Sequence, residues 1–403
     1  MHRRLFLSSA SGLATLPFAA HADSDGWFQH KHNASVFLEG LCWSGPTQQR
    51  LAFERDLRAW MMRQGIADHL LTIFDHKSHH QALLHIMDGE EGTLDLRDRP
   101  RLWLGQDTLP KPVPGIGSPL SVPTPVVSLK EIFLSFTHPG RATMLRAEHA
   151  HFNTFLTHMQ QRQSTVLWAQ RIGWRWPDGE DSRWNNALWD KGTPRSRALT
   201  YKAYLDALVN PQKYAVGCYT AAKLTLGLGL LDHAYRLHPN PTLQRRTLAA
   251  LWLNQDPLVG IEPSSIWSFE PSYDSAAPVL PGKTHAAQWV DHPRHMIPGD
   301  WMYVFNTDPA TYAKTGYEGS NAIYLGGGRF SDYYNDHGYS YAFEEKLDDV
   351  YQWRNQVFSR QRHFDRAQVL SKAQLAALER TPAKGGLLLD WRVGPRMELA
   401  VSP

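Results

Sequence analysis

The chain has 403 residues, 42% of them hydrophobic and 20% charged, a globular balance that excludes a disordered polymer and allows one large domain or two ordinary ones. A formal net charge of +3 gives no electrostatic case for nucleic-acid binding. Beyond the N-terminal segment, no stretch approaches the ~18 uninterrupted apolar residues that read as a membrane span.

In chain order, residues 1–22 read as a targeting segment. Arg3-Arg4-Leu5-Phe6-Leu7 precedes a mildly apolar stretch from Ser8 to Ala19, and Ala20-His21-Ala22 fits a small-x-small cleavage site. The paired arginines are similar to a twin-arginine signal, with a Sec signal as the rival. Either predicts a periplasmic or secreted protein that leaves the membrane once the signal is removed. Residues 23–109 are expected to be a mainly helical accessory region. Thr47 through Gln64 places Leu51, Leu57, Trp60 and Met61 at helical spacing, and a second helix is expected from Ile66 to Met87. Histidines cluster here, at His30, His32, His69, His76, His79, His80 and His85. His76 and His80 have the i, i+4 spacing of a metal pair, but with no flanking Cys or acidic pattern they read as a solvated helix face. Pro110, Pro112, Pro114, Pro119, Pro123 and Pro125 make 110–125 a linker, poor ground for helix or central strand.

The main domain is expected over 126–362, with an extension over 363–403. Ser128 and Glu131 form a capping-box pattern at the start of a helical stretch reaching residue 160, with Met144, Leu145, Phe152, Phe155, Leu156 and Met159 on its apolar face. Val166-Leu167-Trp168 and Gly173-Trp174-Arg175-Trp176 look like short strands, and Arg195 to Val209 like a helix. Cys218 opens the next helix, which runs to about Tyr235 and is apolar nearly all round from Leu224 to Leu231, so it should be buried. After residue 260, strands are expected at Trp301 to Phe305, at Ala322 to Leu325 and from His337, followed by a helix from Phe343 to about Gln361. Helices first and strands later is an α+β pattern. The 15 tryptophans read as core and edge packing, with an aromatic wall along a substrate cleft as the sharper alternative. Gly326-Gly327-Gly328 ends a strand and lacks a Lys-Ser/Thr partner, so it is not a phosphate loop. Asp300, in Pro298-Gly299-Asp300, reads as a turn-former.

The chemistry concentrates on two residues. Cys218 stands at a helix N-terminus, where unpaired backbone N–H groups favour a thiolate and could bind an oxyanion. His337 lies downstream, where the fold could bring it close as a base. The competing readings are an inert buried thiol or a disulfide between Cys42 and Cys218, although one bridge is not needed for stability in a chain of this length. A third group should orient the histidine, and Asn321, Glu318, Ser320 and Asp336 are within reach by sequence. No metal motif or cofactor site is read from the chain.

Residues of about 128–350 resemble the spore-coat-type bacterial transglutaminases, the protein-glutamine γ-glutamyltransferases. The resemblance runs in order through Ser128-Leu129-Lys130-Glu131-Ile132-Phe133, Phe152-Asn153-Thr154-Phe155-Leu156, Arg195-Ser196-Arg197-Ala198-Leu199, Tyr214-Ala215-Val216-Gly217-Cys218-Tyr219-Thr220-Ala221, Gly299-Asp300-Trp301-Met302-Tyr303, Gly319-Ser320-Asn321-Ala322-Ile323-Tyr324-Leu325-Gly326 and His337-Gly338. It implies a papain-like core related to the NlpC/P60 hydrolases, with a buried helix starting at the nucleophile and packed on an antiparallel sheet. It further implies attack of the Cys218 thiolate on a glutamine carboxamide, loss of ammonia, and capture of the thioester by a lysine or other primary amine, with His337 as general base. Tyr317 and Trp301 would line the substrate channel. Two family glutamates are replaced here, by Gly217 and Ser320, so Glu318 or Asn321 would have to serve as the third member. The rival readings are a periplasmic cysteine peptidase or amidase acting on cell-wall peptides, and a non-catalytic binding protein on the same fold.

Overall fold

The computed structural model describes residues 39–77, 79–84, 105–113, 120–138, 142–177, 181–253, 284–289, 296–359, 363–388 and 391–401. The targeting segment 1–22 and His30, His32 and His85 lie outside the described residues. None of the described helices is long and apolar enough to cross a membrane.

Among the described residues, the N-terminal region is not mainly helical. Strand β1 (Gly40–Ser44) leads into helix α1 (Thr47–Arg63), which buries Phe53, Leu57, Trp60 and Met61 while Leu51 stays exposed. The helix expected from Ile66 to Met87 is instead an antiparallel hairpin of β2 (Leu71–Asp75) and β3 (His79–Leu84). Leu71-Thr72-Ile73-Phe74 is short and rich in β-formers, and polar His76-Lys77-Ser78 separates it from the next apolar run, which suits a turn better than a helix interior. His80 is therefore no part of a solvated helix face. It is buried on β3, with Nδ1 3.2 Å from Glu54 Oε2 and Nε2 2.9 Å from Asp75 Oδ1.

Part of the expected linker is also structured. Strands β4 (Gln106–Pro112) and β5 (Ser121–Val127) form a two-stranded antiparallel ribbon. Pro110 pairs with Pro123, Pro112 with Ser121 and Pro125 with Thr108, so the prolines occupy one alternate set of pairs. A ribbon of two strands consists only of edges, where a residue that cannot donate is tolerated.

Ser128 caps helix α2 (Leu129–Thr137), its Oγ accepting from the Glu131 N–H at 3.1 Å. The helical stretch expected to residue 160 ends with α2 at Thr137, ahead of Pro139-Gly140 in the sequence. It resumes as strand β6 (Ala142–Leu145) and helix α3 (Phe152–Ala169). Met144 is exposed on the strand, and Val166-Leu167-Trp168 forms the buried end of α3 rather than a strand. β6 lies parallel to β1, giving a sheet of order β2-β3-β1-β6. One apolar core, including Phe53, Trp60, Phe133 and Phe155, joins the N-terminal elements to α2 and α3.

A small ladder of β7 (Trp189–Asp190) and β8 (Thr193–Pro194) precedes helix α4 (Thr200–Val209). Helix α5 (Cys218–Asp232) is buried along its whole length, as its apolar sequence requires, and continues into a π-helical turn, His233–Leu237, before helix α6 (Pro241–Leu253). Strands β9 (His285–Trp289), β10 (Trp301–Phe305), β11 (Gly319–Gly326), β12 (Arg329–Ser331), β13 (Ser340–Ala342) and β14 (Trp391–Pro395) make a six-stranded sheet of order β13-β12-β11-β10-β14-β9 in which every recorded pairing is antiparallel. Helix α7 (Pro309–Thr315) lies between β10 and β11, helix α8 (Phe343–Arg354) follows β13, and helix α9 (Lys372–Leu378) precedes β14. The sheet separates two cores by simple alternation. Trp301, Ile323 and Val393 join the core of α5, while Met302, Val304, Ala322 and Tyr324 join Phe343, Leu347 and Val350 of α8. Asn321 has the parity of Ile323 and so belongs to the α5 face.

Asp300 does more than form a turn. Its fully buried carboxylate takes Arg162 Nη1 of α3 at 2.7 Å, Arg392 Nη1 of β14 at 3.2 Å and the Ile297 N–H at 2.7 Å. This network ties the helical layer to the sheet at the entry to β10.

Candidate active site

Cys218 is the first residue of α5 and is 9% exposed. Gly217 caps the helix in an extended conformation, and its carbonyl accepts from the Ala221 N–H at 2.9 Å. The Asn321 amide reaches the thiol from β11, with Nδ2 3.3 Å from Sγ, and the Gly319 carbonyl lies 3.9 Å from the same sulfur. Asn321 is fixed in turn by Trp301, whose Nε1–H donates to Oδ1 at 2.8 Å. Because Oδ1 accepts, Nδ2 is the atom left to face the sulfur. The Trp301 ring packs on Tyr219, centroids 5.3 Å apart, so the thiol, the amide and two aromatic rings form one cluster. The amide expected to hold the histidine therefore touches the cysteine instead.

His337 does not open a strand. It sits in the loop from Asp332 to Tyr339 that joins β12 to β13, which begins only at Ser340. Asn335, Gly338 and Tyr339 adopt left-handed backbone (φ 59°, 67° and 74°), the means by which the loop turns tightly around His337. Buried Asp332 closes the loop from inside, accepting from the His337 N–H at 2.6 Å and the Tyr334 N–H at 3.2 Å. Two bonds dock the loop, one of them just ahead of α5. The Tyr334 hydroxyl donates to the Val216 carbonyl at 3.0 Å, two residues before Cys218, and the Trp174 N–H donates to the Tyr333 carbonyl at 2.9 Å. The His337 ring is half-buried, 4.2 Å from the Tyr341 ring, and its Nδ1 is buried without a hydrogen-bond partner among the described residues.

The other expected site residues lie at the entry to β11. Tyr317 stacks on Trp353 of α8 at 4.5 Å and 10°, and its hydroxyl is 3.4 Å from Asp349 Oδ2. Burial holds its pKa well above the ordinary tyrosine value. Glu318 is half-buried, and burial raises its pKa. Its carbonyl accepts from Tyr303, but among the described residues its carboxylate makes no hydrogen bond or ion pair with His337. Asp332 is a carboxylate that meets His337, and it meets the backbone N–H rather than the ring. Sequence reading passed over Asp332. It looked like an ordinary polar residue, and only the loop closure singles it out.

Cys42 and Cys218 form no disulfide. Cys42 is wholly buried on β1, in the other sheet, where burial pushes its pKa up to about 12. Burial therefore disfavours its thiolate, the reactive form, at neutral pH.

A family model described as protein-glutamine gamma-glutamyltransferase matches residues 141–347, just over half the chain. The chain belongs to this family. The transglutaminase match spans Cys218, Tyr219, Trp301, Asn321 and His337, and the activity it carries is acyl transfer from protein-bound glutamine. Among solved structures, "Transglutaminase from Geobacillus stearothermophilus (without C-terminal extension)" is similar at 16% identity and a TM-score of 0.37, covering 62% of this chain and 97% of that one. A search of the curated proteins found no match.

Proposed function

We propose that the chain is an exported transglutaminase that forms glutamine–lysine isopeptide crosslinks through a thioester on Cys218, on a papain-like core. The observation that carries this reading is the thiol itself. It stands at the start of a buried helix, held by Asn321, with the His337 loop bonded to the chain two residues upstream. The Cys218 thiolate attacks the glutamine carboxamide carbon, and the tetrahedral oxyanion forms at the N-terminus of α5, where helix N–H groups favour negative charge. The C–N bond breaks, and ammonia leaves with a proton delivered by His337. A primary amine then attacks the thioester, His337 takes its proton, and the C–S bond breaks to return the thiolate. Trp301, Tyr219 and Tyr317 supply apolar surface near the thiol, which favours an amine over water as acceptor. The Arg3-Arg4 signal-like segment supports export. The reaction as written uses no cofactor.

The test compares the protein with Cys218→Ala in the presence of a glutamine-donor protein and a labelled primary amine. Incorporation of label by the wild type alone is expected. Ammonia release without incorporation would replace transfer by hydrolysis of the same thioester. If folded wild type does neither, the binding-protein reading takes over.

A further inference from the structure

Helix α5 does not end as an α-helix. The turn that follows it, His233–Leu237, is π-helical, and the His238 N–H donates to the His233 carbonyl at 2.8 Å, an i→i+5 bond. In an α-helix two residues five apart point about 140° away from each other. The wider π turn closes most of that angle. Here it sets the two imidazoles side by side, ring centroids 4.8 Å apart with planes at 40°. Such turns are rare and occur frequently at functional sites. Both rings line one surface pocket of about 450 Å3, together with Thr157 and Gln160 of α3 and with Asn240. His233 is 1% exposed, and its Nδ1 is buried without a hydrogen-bond partner among the described residues. Buried polar atoms are normally paired, so this nitrogen needs an account. Packing does not supply one, because an apolar side chain would fill the same space without an orphaned nitrogen. Burial lowers the pKa of both rings, that of His233 to about 3, so at neutral pH each keeps a ring-nitrogen lone pair.

We infer that His233 and His238 together bind a divalent late transition-metal ion, of the nickel, copper and zinc class. Two imidazoles on one ion, each about 2.1 Å from it, place their ring centroids roughly 4.5–5.2 Å apart for bond angles between square and tetrahedral. The observed separation falls in that range. Among the described residues no group of three or more His, Cys, Asp or Glu gathers, so the remaining positions fall to water and to the side-chain oxygens of Thr157 and Gln160. A mixed nitrogen and oxygen set of this kind suits nickel and copper, while magnesium and calcium want oxygen alone. The ion pins the turn from α5 to α6. It takes no part in acyl transfer, because Cys218 opens α5 15 residues earlier, roughly 22 Å away along the helix axis. Two rival sites exist. His76 and His79, at the β2–β3 turn, stack at 4.6 Å and 19°, and rings so nearly parallel do not aim their edge nitrogens at a common point. The other rival is the Cys218 thiol itself.

The experiment titrates Ni2+ by calorimetry, in a non-chelating neutral buffer, into the untagged full chain as wild type, His233→Gln, His238→Ala, His76→Ala and Cys218→Ala. Wild type should show one saturable site. His233→Gln and His238→Ala should each weaken it at least about tenfold, while His76→Ala and Cys218→Ala leave it unchanged. His238 is exposed, so His238→Ala keeps a folded variant in hand if His233→Gln does not fold, which melting without metal reports. Ni2+ should also raise the melting temperature of wild type and not that of His238→Ala. Absence of saturable binding to wild type overturns the inference. So does binding that folded His238→Ala retains in full, or binding lost only in His76→Ala or only in Cys218→Ala. None of these outcomes bears on the transglutaminase reading, which is tested by amine incorporation.

Discussion

Asp332 accepts two backbone N–H groups inside the loop that carries His337. Removing the carboxylate takes the acceptor from two half-buried donors, a cost of about 1 kcal/mol. Asp332→Ala is therefore expected to lower the melting temperature and, by releasing His337, to reduce amine incorporation at least tenfold. Cys218 alkylation should remain, because Asn321 and α5 hold the thiol independently of the loop. Loss of stability with full turnover would show that the loop geometry is not needed for the reaction. Asn321 teaches a related lesson. Its place on the α5 face follows from strand parity, but which of its two amide atoms meets the sulfur is decided by the Trp301 N–H.

Helix α5 was legible as a buried element from its apolar run, but the reason for its glycines was not. A Cβ on Gly229 would lie 2.2 Å from Thr165 Oγ1 and 2.7 Å from its Cα, and one on Gly227 would lie 2.3 Å from the Tyr204 ring. The glycines let α3 and α4 press directly on α5, which fixes where Cys218 emerges. Gly229→Ala cannot be absorbed by rotating a side chain, since backbone of α3 stands in the way. It is expected to destabilise by about 1–3 kcal/mol despite alanine's better helix propensity, measured by denaturant unfolding. A neutral or stabilising effect would mean the two helices can separate without cost. Gly326 works similarly at the β11–β12 turn, where a left-handed φ of 90° and contact with Val127 and Glu131 leave no room for a side chain. The glycine run read as a strand end is indeed one.

At the scale of the whole molecule, burial disfavours the charged form of His158, His233 and His285 among the described residues. Burial lowers the pKa of His158 well below the ordinary value, helped by Arg162, and lowers His233 and His285 to about 3. Unfolded, each titrates near 6.5, so between about pH 3 and 6.5 the unfolded chain binds protons that the folded one refuses. Their contribution to stability is present above about pH 6.5 and is lost as pH falls toward 3. Melting temperature should decline from pH 7 to 4, and His285→Asn should flatten that decline; equal slopes in wild type and variant would refute the assignment.

The sequence by itself determined the local elements with strong internal pattern: the Ser128 cap, the buried helix opening at Cys218, the strands at Trp301 and Ala322, and the family motifs around them. These depend on periodicity and on contacts within a few residues. It misplaced elements whose identity depends on neighbours. Leu71–Asp75 and His79–Leu84 form strands because β1 offers an edge to pair with, and prolines survive in β4 and β5 because that ribbon has no central strand. The candidate site divides the same way. Cys218 and His337 were visible as chemistry in a pattern. The Asn321 contact with sulfur and the Asp332 clasp were decided only by tertiary structure, because each joins positions remote in sequence and depends on burial, which gives a polar group its energetic weight.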